Sequence, residues 1–476
     1  MKPTIDSARL FLQGSLALAR VEQAGIRIDT EYLDAITAKV AAKIQRRQDR
    51  LRKDKTFDLW RRTFGDRTNL GSRQQLATIL FDKLGIKREG HHLTGKGQIK
   101  MDKQSLEGVD LPFVKTLLEL ESLKKLKAVS LDGLKRELVN GYLHPDLHLH
   151  TARSYRGSSG GSDDDESSSY NSQNIPNRDQ KQAEMVRRAF IPRDGCVIVE
   201  NDFAAHEFRL IAIVWGDPEM LRYAADPAKD IHRDMAMRCF LLDKDDADQK
   251  GVRYVGKNGM VFPKLYGSWW KKIAHAMWSE IDARKLTRLD GVGLKEHLKS
   301  KGIDRLGDCD PRMGPEPGTF ESHIKKTEEW FLKKFHVFAE RSDKAWADYL
   351  KTGVWQMITG FVVRGIYSKN QRLNYDVQGP AFHCLLWTLI ELVTKDLRRY
   401  KMKAKVVNTI HDCVVGDVPR KEVQSYINLV REIVEVKLPK AWPWLTIPLE
   451  VECECCEENW FSKVPWVETD GVWGPK

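Results

Sequence analysis

The chain has 476 residues, 41% of them hydrophobic, so it can bury large cores and is long enough for several subdomains. Its 78 basic and 67 acidic residues leave a formal charge of +11, spread along the chain and not gathered in one tail. Such an excess points to a polyanionic partner, because each phosphate contact releases counterions, although basic enzymes that touch no nucleic acid also exist. Eight cysteines in so long a chain do not make a disulfide framework and fit a reducing cytoplasm. The N-terminus lacks the charged-then-apolar pattern of a signal peptide, and no stretch approaches the roughly 20 apolar residues that cross a bilayer. A soluble, cytoplasmic protein without membrane contact is expected.

Residues 7–53 show helical periodicity. The spacing of Leu10, Leu16, Leu18, Val21 and Ile26 is broken by a turn at Gly25. A second amphipathic helix runs from about Thr30 into Arg46, Arg47, Arg50, Arg52 and Lys53, a run that reads as a solvated face as readily as a nucleic-acid contact. Residues 113–138 form another long helical stretch, with lysines interleaved through an apolar stripe. Residues 158–172, rich in Gly, Ser and Asp, predict a mobile surface loop whose acids would be pushed away from bound DNA.

Beyond that loop, residues 196–199 are a short apolar run with β-branched residues, read as a buried strand ending at Asn201 and Asp202. Residues 227–350 are mainly helical, and their tryptophans read as core contacts before stacking platforms. Residues 405–418 read as two short strands flanking His411 and Asp412, and residues 449–455 as a further alternating strand. Cys453, Cys455 and Cys456 lack a fourth ligand for structural zinc. Helices, then strands mixed with helices, then a hairpin define an α+β protein.

Two carboxylates carry the first chemical signal. Asp202 at a strand end and Asp412 in a strand turn, brought to one sheet, would clamp two magnesium ions for in-line phosphoryl transfer. Each alone is weak evidence, because a strand-end Asp is a common turn former. The third signal is the segment from Arg253 to Gly267. Arg253 and Lys257 lie one helical turn apart and can face one anion such as a triphosphate, and aromatics further along can stack on a base. The alternative there is a solvated basic helix with a packed aromatic end.

Together these segments resemble family A (DNA polymerase I-like) polymerases. Asp202-Phe-Ala-Ala-His-Glu207-Phe-Arg209 is similar to motif A, DYSQIELR. Arg253 to Gly267 resembles motif B, and His411-Asp412-Cys413 resembles motif C, usually His-Asp-Glu. In the right order stand Tyr155-Arg156-Gly157-Ser158-Ser159, Gln173-Asn174-Ile175-Pro176 with Arg178, Asp230-Ile231-His232, and Asn374 to Gly379. The N-terminal elements E-Q-A-G-I-R-I-D and N-L-G-S-x-x-Q-L extend the resemblance over nearly the whole chain. Two departures stand out. Motif B is one residue longer between Lys257 and Tyr266, which predicts a bulge in its helix, with Pro263 straining the same turn and Phe262 favoured over Val261 for stacking. In motif C, Cys413 replaces a glutamate, and a thiol is a poor magnesium ligand.

The resemblance implies a right-hand polymerase fold of thumb, palm with an antiparallel sheet, and helical fingers. Its boundaries would be a thumb-forming region at 1–143, palm at 144–226 and 352–476, and fingers at 227–351. It implies that Asp202, Asp412 and the carbonyl of Phe203 hold two Mg2+ ions, with Mn2+ able to substitute. Arg253, Lys257, Phe262, Tyr266, Glu207 and His232 would bind the deoxynucleoside triphosphate, Lys257 protonating the leaving pyrophosphate and Glu207 discriminating against ribonucleotides. Arg156, Gln173, Asn174, Arg178, Asn374, Gln378 and His411 would contact primer-template DNA. The polymerase match starts within the first residues, so a phage-type enzyme without built-in 3′–5′ exonuclease is expected, working in a bacterial host cell with a separate exonuclease or processivity factor. Its rivals are a ribonucleotide-incorporating relative and a DNA-binding protein whose catalysis has lapsed.

Overall fold

The computed structural model describes residues 5–87, 101, 105–106, 108–160, 169–177, 179–310 and 312–476. The candidate Arg178 and most of the expected acidic loop, residues 161–168, lie outside the described residues.

Helix α1 (Ile5–Ala24) ends where the sequence places its turn, at Gly25 with φ +61°, and a Cβ there would meet the His144 ring at 2.8 Å. Helix α2 (Thr30–Arg52) starts from an Asp29 cap that accepts the Tyr32 N–H. Its buried Leu33, Ile36 and Val40 recur at helical spacing, while Arg46, Arg50 and Arg52 of the basic run face solvent. Helix α3 (Pro112–Lys125) packs along α2, and the two are joined at the surface by an Arg47–Glu119 ion pair of 2.7 Å.

The centre of the molecule is a six-stranded antiparallel sheet. Its strands are β1 (Cys196–Ala204), β2 (Lys405–Ile410), β3 (Cys413–Pro419), β4 (Glu450–Cys456), β5 (Val464–Thr469) and β6 (Val472–Pro475), in the spatial order β6-β5-β4-β1-β3-β2. The first strand corrects the sequence reading. It does not stop at Asp202 but pairs on both sides through that residue and ends at Ala204, so Asp202 is held by ladders from two neighbours.

Alternation along β1 sorts its side chains. Val197, Val199 and Phe203 enter the main core with Leu10, Leu18 and Val21 of α1, whereas Ile198 enters a second core with Leu33, Ile36 and Val40 of α2. Helix α1 therefore packs with the sheet, although it falls within the 1–143 stretch of the sequence. A third core, built on Leu51, Trp60, Leu80, Phe113 and Leu117, stands apart from both.

Between β1 and β2 the chain is mostly helical: α4 (His206–Trp215), α5 (Ile231–Phe240), α6 (Lys250–Val255), α7 (Trp270–Ala283), α8 (Phe320–Lys334), α9 (His336–Thr352) and α10 (Lys369–Leu389). Helix α10 is buried along most of its length and packs against α1 and α4. After the β2–β3 hairpin, α11 (Val423–Glu432) packs on the main-core face of the sheet. No helix among the described residues is long and apolar enough to cross a membrane.

Candidate active site

The two acids meet because of register. Asp202 stands directly opposite Cys413 on β3 and Glu452 on β4, so these three side chains share one face of the sheet. His411 and Asp412 form the turn between β2 and β3, with His411 at φ +57°, and the Phe203 N–H donates to the Asp412 carbonyl at 3.4 Å. The hairpin turn is thereby tied to β1 one residue from Asp202. The Asp202 carboxyl reaches solvent yet sits in a recess crowded by protein. Burial, then the charges of Asp412, Glu200 and Glu452, push its pKa up to about 8, with Lys463 opposing. Burial also works to raise Asp412, but His206 at 3.8 Å and His411 outweigh it and leave that carboxyl below its ordinary value.

Further along the same face Glu200 is neutralised. It accepts from Lys463 Nζ and Trp460 Nε1, both at 2.7 Å, and Lys463 also pairs with Glu454. Cys413 is buried in the second core, and burial drives its thiol pKa far up, so it offers no ligand. Among the described residues no three His, Cys, Asp or Glu side chains are gathered as a metal-holding group. The donors present, two carboxylates with main-chain oxygens, fit a hard divalent cation that takes its remaining ligands from substrate phosphate and water.

The basic segment follows. After α6, residues Gly256–Val261 make a wide turn in which the Phe262 N–H reaches back five residues to the Lys257 carbonyl. This is the bulge that the extra residue of the sequence predicts. Pro263 follows directly on this wide turn, in the short helix Phe262–Leu265. Val261 is fully buried, while Phe262 is partly exposed, 5.4 Å from the His232 ring and 6.0 Å from that of Tyr266.

Lys257 Nζ lies 5.2 Å from the Phe262 ring centre and has no carboxylate partner among the described residues. Arg253 does have one. Its Nε donates to Asp230 at 2.6 Å, and Asp230 also caps α5. Burial, then the Lys257 charge, lowers the His232 pKa to about 3, so this imidazole is neutral. Tyr266 donates its hydroxyl to Glu207 in the first turn of α4 at 3.1 Å, and burial with that carboxylate raises the phenol well above its usual range.

Of the candidate DNA contacts, Arg156 is brought to the hairpin turn, with Nη2 2.9 Å from His411 Nδ1. The turn carrying Gln173 and Asn174 is pinned to β2 by Ser172, whose hydroxyl donates to Asn408 at 3.2 Å. Asn374 and Gln378 lie on α10 beside Gly379, where a Cβ would come within 2.7 Å of the Ser154 carbonyl. Close packing thus joins α10 to the 154–157 segment. No contact of Gln173, Asn174, Asn374 or Gln378 with either carboxylate occurs among the described residues. The sequence reading passes over Glu452, Lys463 and His206. Only His206 carries a sequence signal, as a histidine where motif A has an aliphatic residue.

A sheet that brings together two carboxylates, one from a strand and one from a hairpin turn, is an arrangement able to hold a hard divalent cation. The family model for DNA polymerase family A matches residues 34–287, more than half of the chain, and the chain belongs to that family. It is 26% identical over 452 residues to the thermostable DNA polymerase I of Thermus aquaticus, covering 94% of this chain and 47% of the relative. It is 32% identical over 452 residues to DNA polymerase I of Synechocystis, covering 91% of this chain and 40% of the relative. The chain thus spans about half the length of the curated relatives it matches. Among solved structures, the POL domain of Pol1 from M. smegmatis, in complex with DNA primer-template and dNTP, superposes with a TM-score of 0.70 at 22% identity. That match covers 95% of this chain and 70% of the other, and the fold is the right-hand polymerase fold.

Proposed function

We propose that this chain is a template-directed DNA polymerase that adds deoxynucleotides to a primer 3′ end. The observation that carries this reading is the register placing Asp202 beside the hairpin turn of Asp412, on one face of the central sheet. The printed names of the relatives and the primer-template and dNTP of the structural neighbour support it. In this reading 1–143 supplies the thumb-forming region, 144–226 and 352–476 the palm, and 227–351 the fingers.

Asp202, Asp412 and the carbonyl of Phe203 would hold two Mg2+ ions, which would supply activation of the attacking oxygen and charge neutralisation at the leaving one. The primer 3′ oxygen forms its bond to the α-phosphorus as the bond to the bridging oxygen of pyrophosphate breaks. Lys257, which has no carboxylate partner among the described residues, meets the triphosphate and gives a proton to the departing pyrophosphate. Arg253 acts from its Asp230 anchor, and Phe262 offers its ring to the incoming base. Glu207, held by the Tyr266 hydroxyl, faces the sugar and disfavours a 2′-hydroxyl. Arg156 and His411 lie at the primer terminus, and Gln173, Asn174, Arg178, Asn374 and Gln378 contact the duplex.

Extension of a labelled primer in Mg2+, with deoxynucleotides and separately with ribonucleotides, tests this. Extension requiring deoxynucleotides and lost in Asp412→Ala is expected. Tight primer-template binding without extension in Mg2+ or Mn2+ would leave a lapsed DNA-binding protein, and efficient ribonucleotide use would leave the other rival.

A further inference from the structure

The strand-to-helix corner behind the two carboxylates holds a residue that the proposed chemistry leaves unused. His206 opens α4 four residues after Asp202, and its side chain is 1% exposed. The chain turns there through Ala205 at φ +48° and ψ +29°, a left-handed conformation unfavourable for a residue with a Cβ. The His206 ring lies nearly flat on Phe203, with centroids 4.5 Å apart and 16° between planes, so packing fixes its orientation. Its Nδ1 is 3.8 Å from Asp412 Oδ2, yet neither ring nitrogen makes a hydrogen bond. Burying an imidazole in this way is unfavourable, and packing alone would be better served by an aliphatic side chain. Motif A has isoleucine at this place.

We propose that His206 is a positioning residue for Asp412. Its Nδ1–H closes onto Oδ2 when the carboxylate turns to receive a cation, and holds it at that angle. The inference rests on the reading of Asp412 as a cation-holding residue. Closing 3.8 Å to hydrogen-bond length requires a movement of about 1 Å, within reach of one side-chain rotation. Orienting partners of this kind matter to metal sites, and their removal weakens metal affinity about 10–100-fold. The neighbouring Cys413 cannot take the part, because its thiol is buried in the second core.

The test is Mn2+ binding followed by electron paramagnetic resonance, on the full chain with primer-template and no nucleotide. Native protein, His206→Ile, His206→Gln and Asp412→Ala are compared. His206→Ile is expected to bind Mn2+ at least about tenfold more weakly with no fall in melting temperature. His206→Gln retains a side-chain N–H and is expected to recover most of that affinity. Native-like binding by His206→Ile, or a Gln variant that binds weakly, overturns the proposal. Asp412→Ala separates the two readings. If it loses Mn2+ while His206→Ile does not, the positioning role alone fails; if it also binds like the native chain, the cation reading of Asp412 fails and takes this one with it.

Discussion

Burial decides the protonation of His383 on α10. It is fully enclosed, stacked on Phe361 at 4.2 Å, with Nε2 3.2 Å from the Tyr155 carbonyl and Nδ1 2.8 Å from the Thr359 hydroxyl. A neutral ring that donates from Nε2 and accepts at Nδ1 satisfies both contacts. Burial accordingly pushes the pKa from 6.5 down to about 3. The unfolded chain takes up this proton below pH 6.5 and the folded chain does not until about pH 3. Stability from this residue is therefore complete above pH 6.5 and lost as pH falls below it, by about 2 kcal/mol at pH 5. His383→Gln is expected to be less stable at neutral pH but to show a shallower decline in unfolding free energy from pH 7 to 5. Parallel declines in the two proteins would refute this account. At this scale Asp202, Asp412 and Lys257 are legible in the sequence, since each sits in a short pattern of fixed spacing. Glu452 and Lys463 are not, because only strand register and a returning loop bring them to the same sheet face.

The packing of α5 against the wide turn after α6 leaves no room for a side chain at Gly256. A Cβ there would stand 2.3 Å from the His232 carbonyl and 2.9 Å from the Ala236 Cβ. The first of these is backbone, so Gly256→Ala must push the two elements apart, at about 1–3 kcal/mol. The same two elements carry His232 and Lys257, so the displacement is expected to raise the KM for deoxynucleotide several-fold and lower the melting temperature. A normal KM alongside a lowered melting temperature would show that the packing and the nucleotide site are independent. The bulge itself is readable, because an extra residue between two fixed motif positions of a helix has to be absorbed in a wider turn. Strands β5 and β6 are not. All but one of the β5 residues are exposed, and Pro465 inside it argues against a strand, so neither alternation nor composition marks it. The sequence also ends β1 too early, because Asn201 and Asp202 look like a turn until both neighbouring ladders are known.

Across the whole molecule, three cores divide the labour. The first two share the central sheet, one on each face, and are coupled through it. The third is small and reaches the rest through α2 and α3, with Val40 of α2 in the second core and Leu51 of the same helix in the third. Trp60 sits at its centre, fully buried, its indole N–H donating to Gln75 at 2.9 Å. Units joined by few shared contacts open below the free energy of global unfolding. Amides of Lys55–Phe64 and Pro112–Lys125 should therefore exchange hydrogen together, and faster than those of β1, β3 and α10. Trp60→Ala should deepen the contrast, because it removes about 3–5 kcal/mol of packing from a core with little to spare. We expect its exchange to rise throughout the third core while the sheet keeps native protection, and primer-template affinity to fall in low salt through loss of the basic surface carried by α2 and α3. A uniform rise in exchange across the sheet and the third core alike would mean that the molecule unfolds as one cooperative unit.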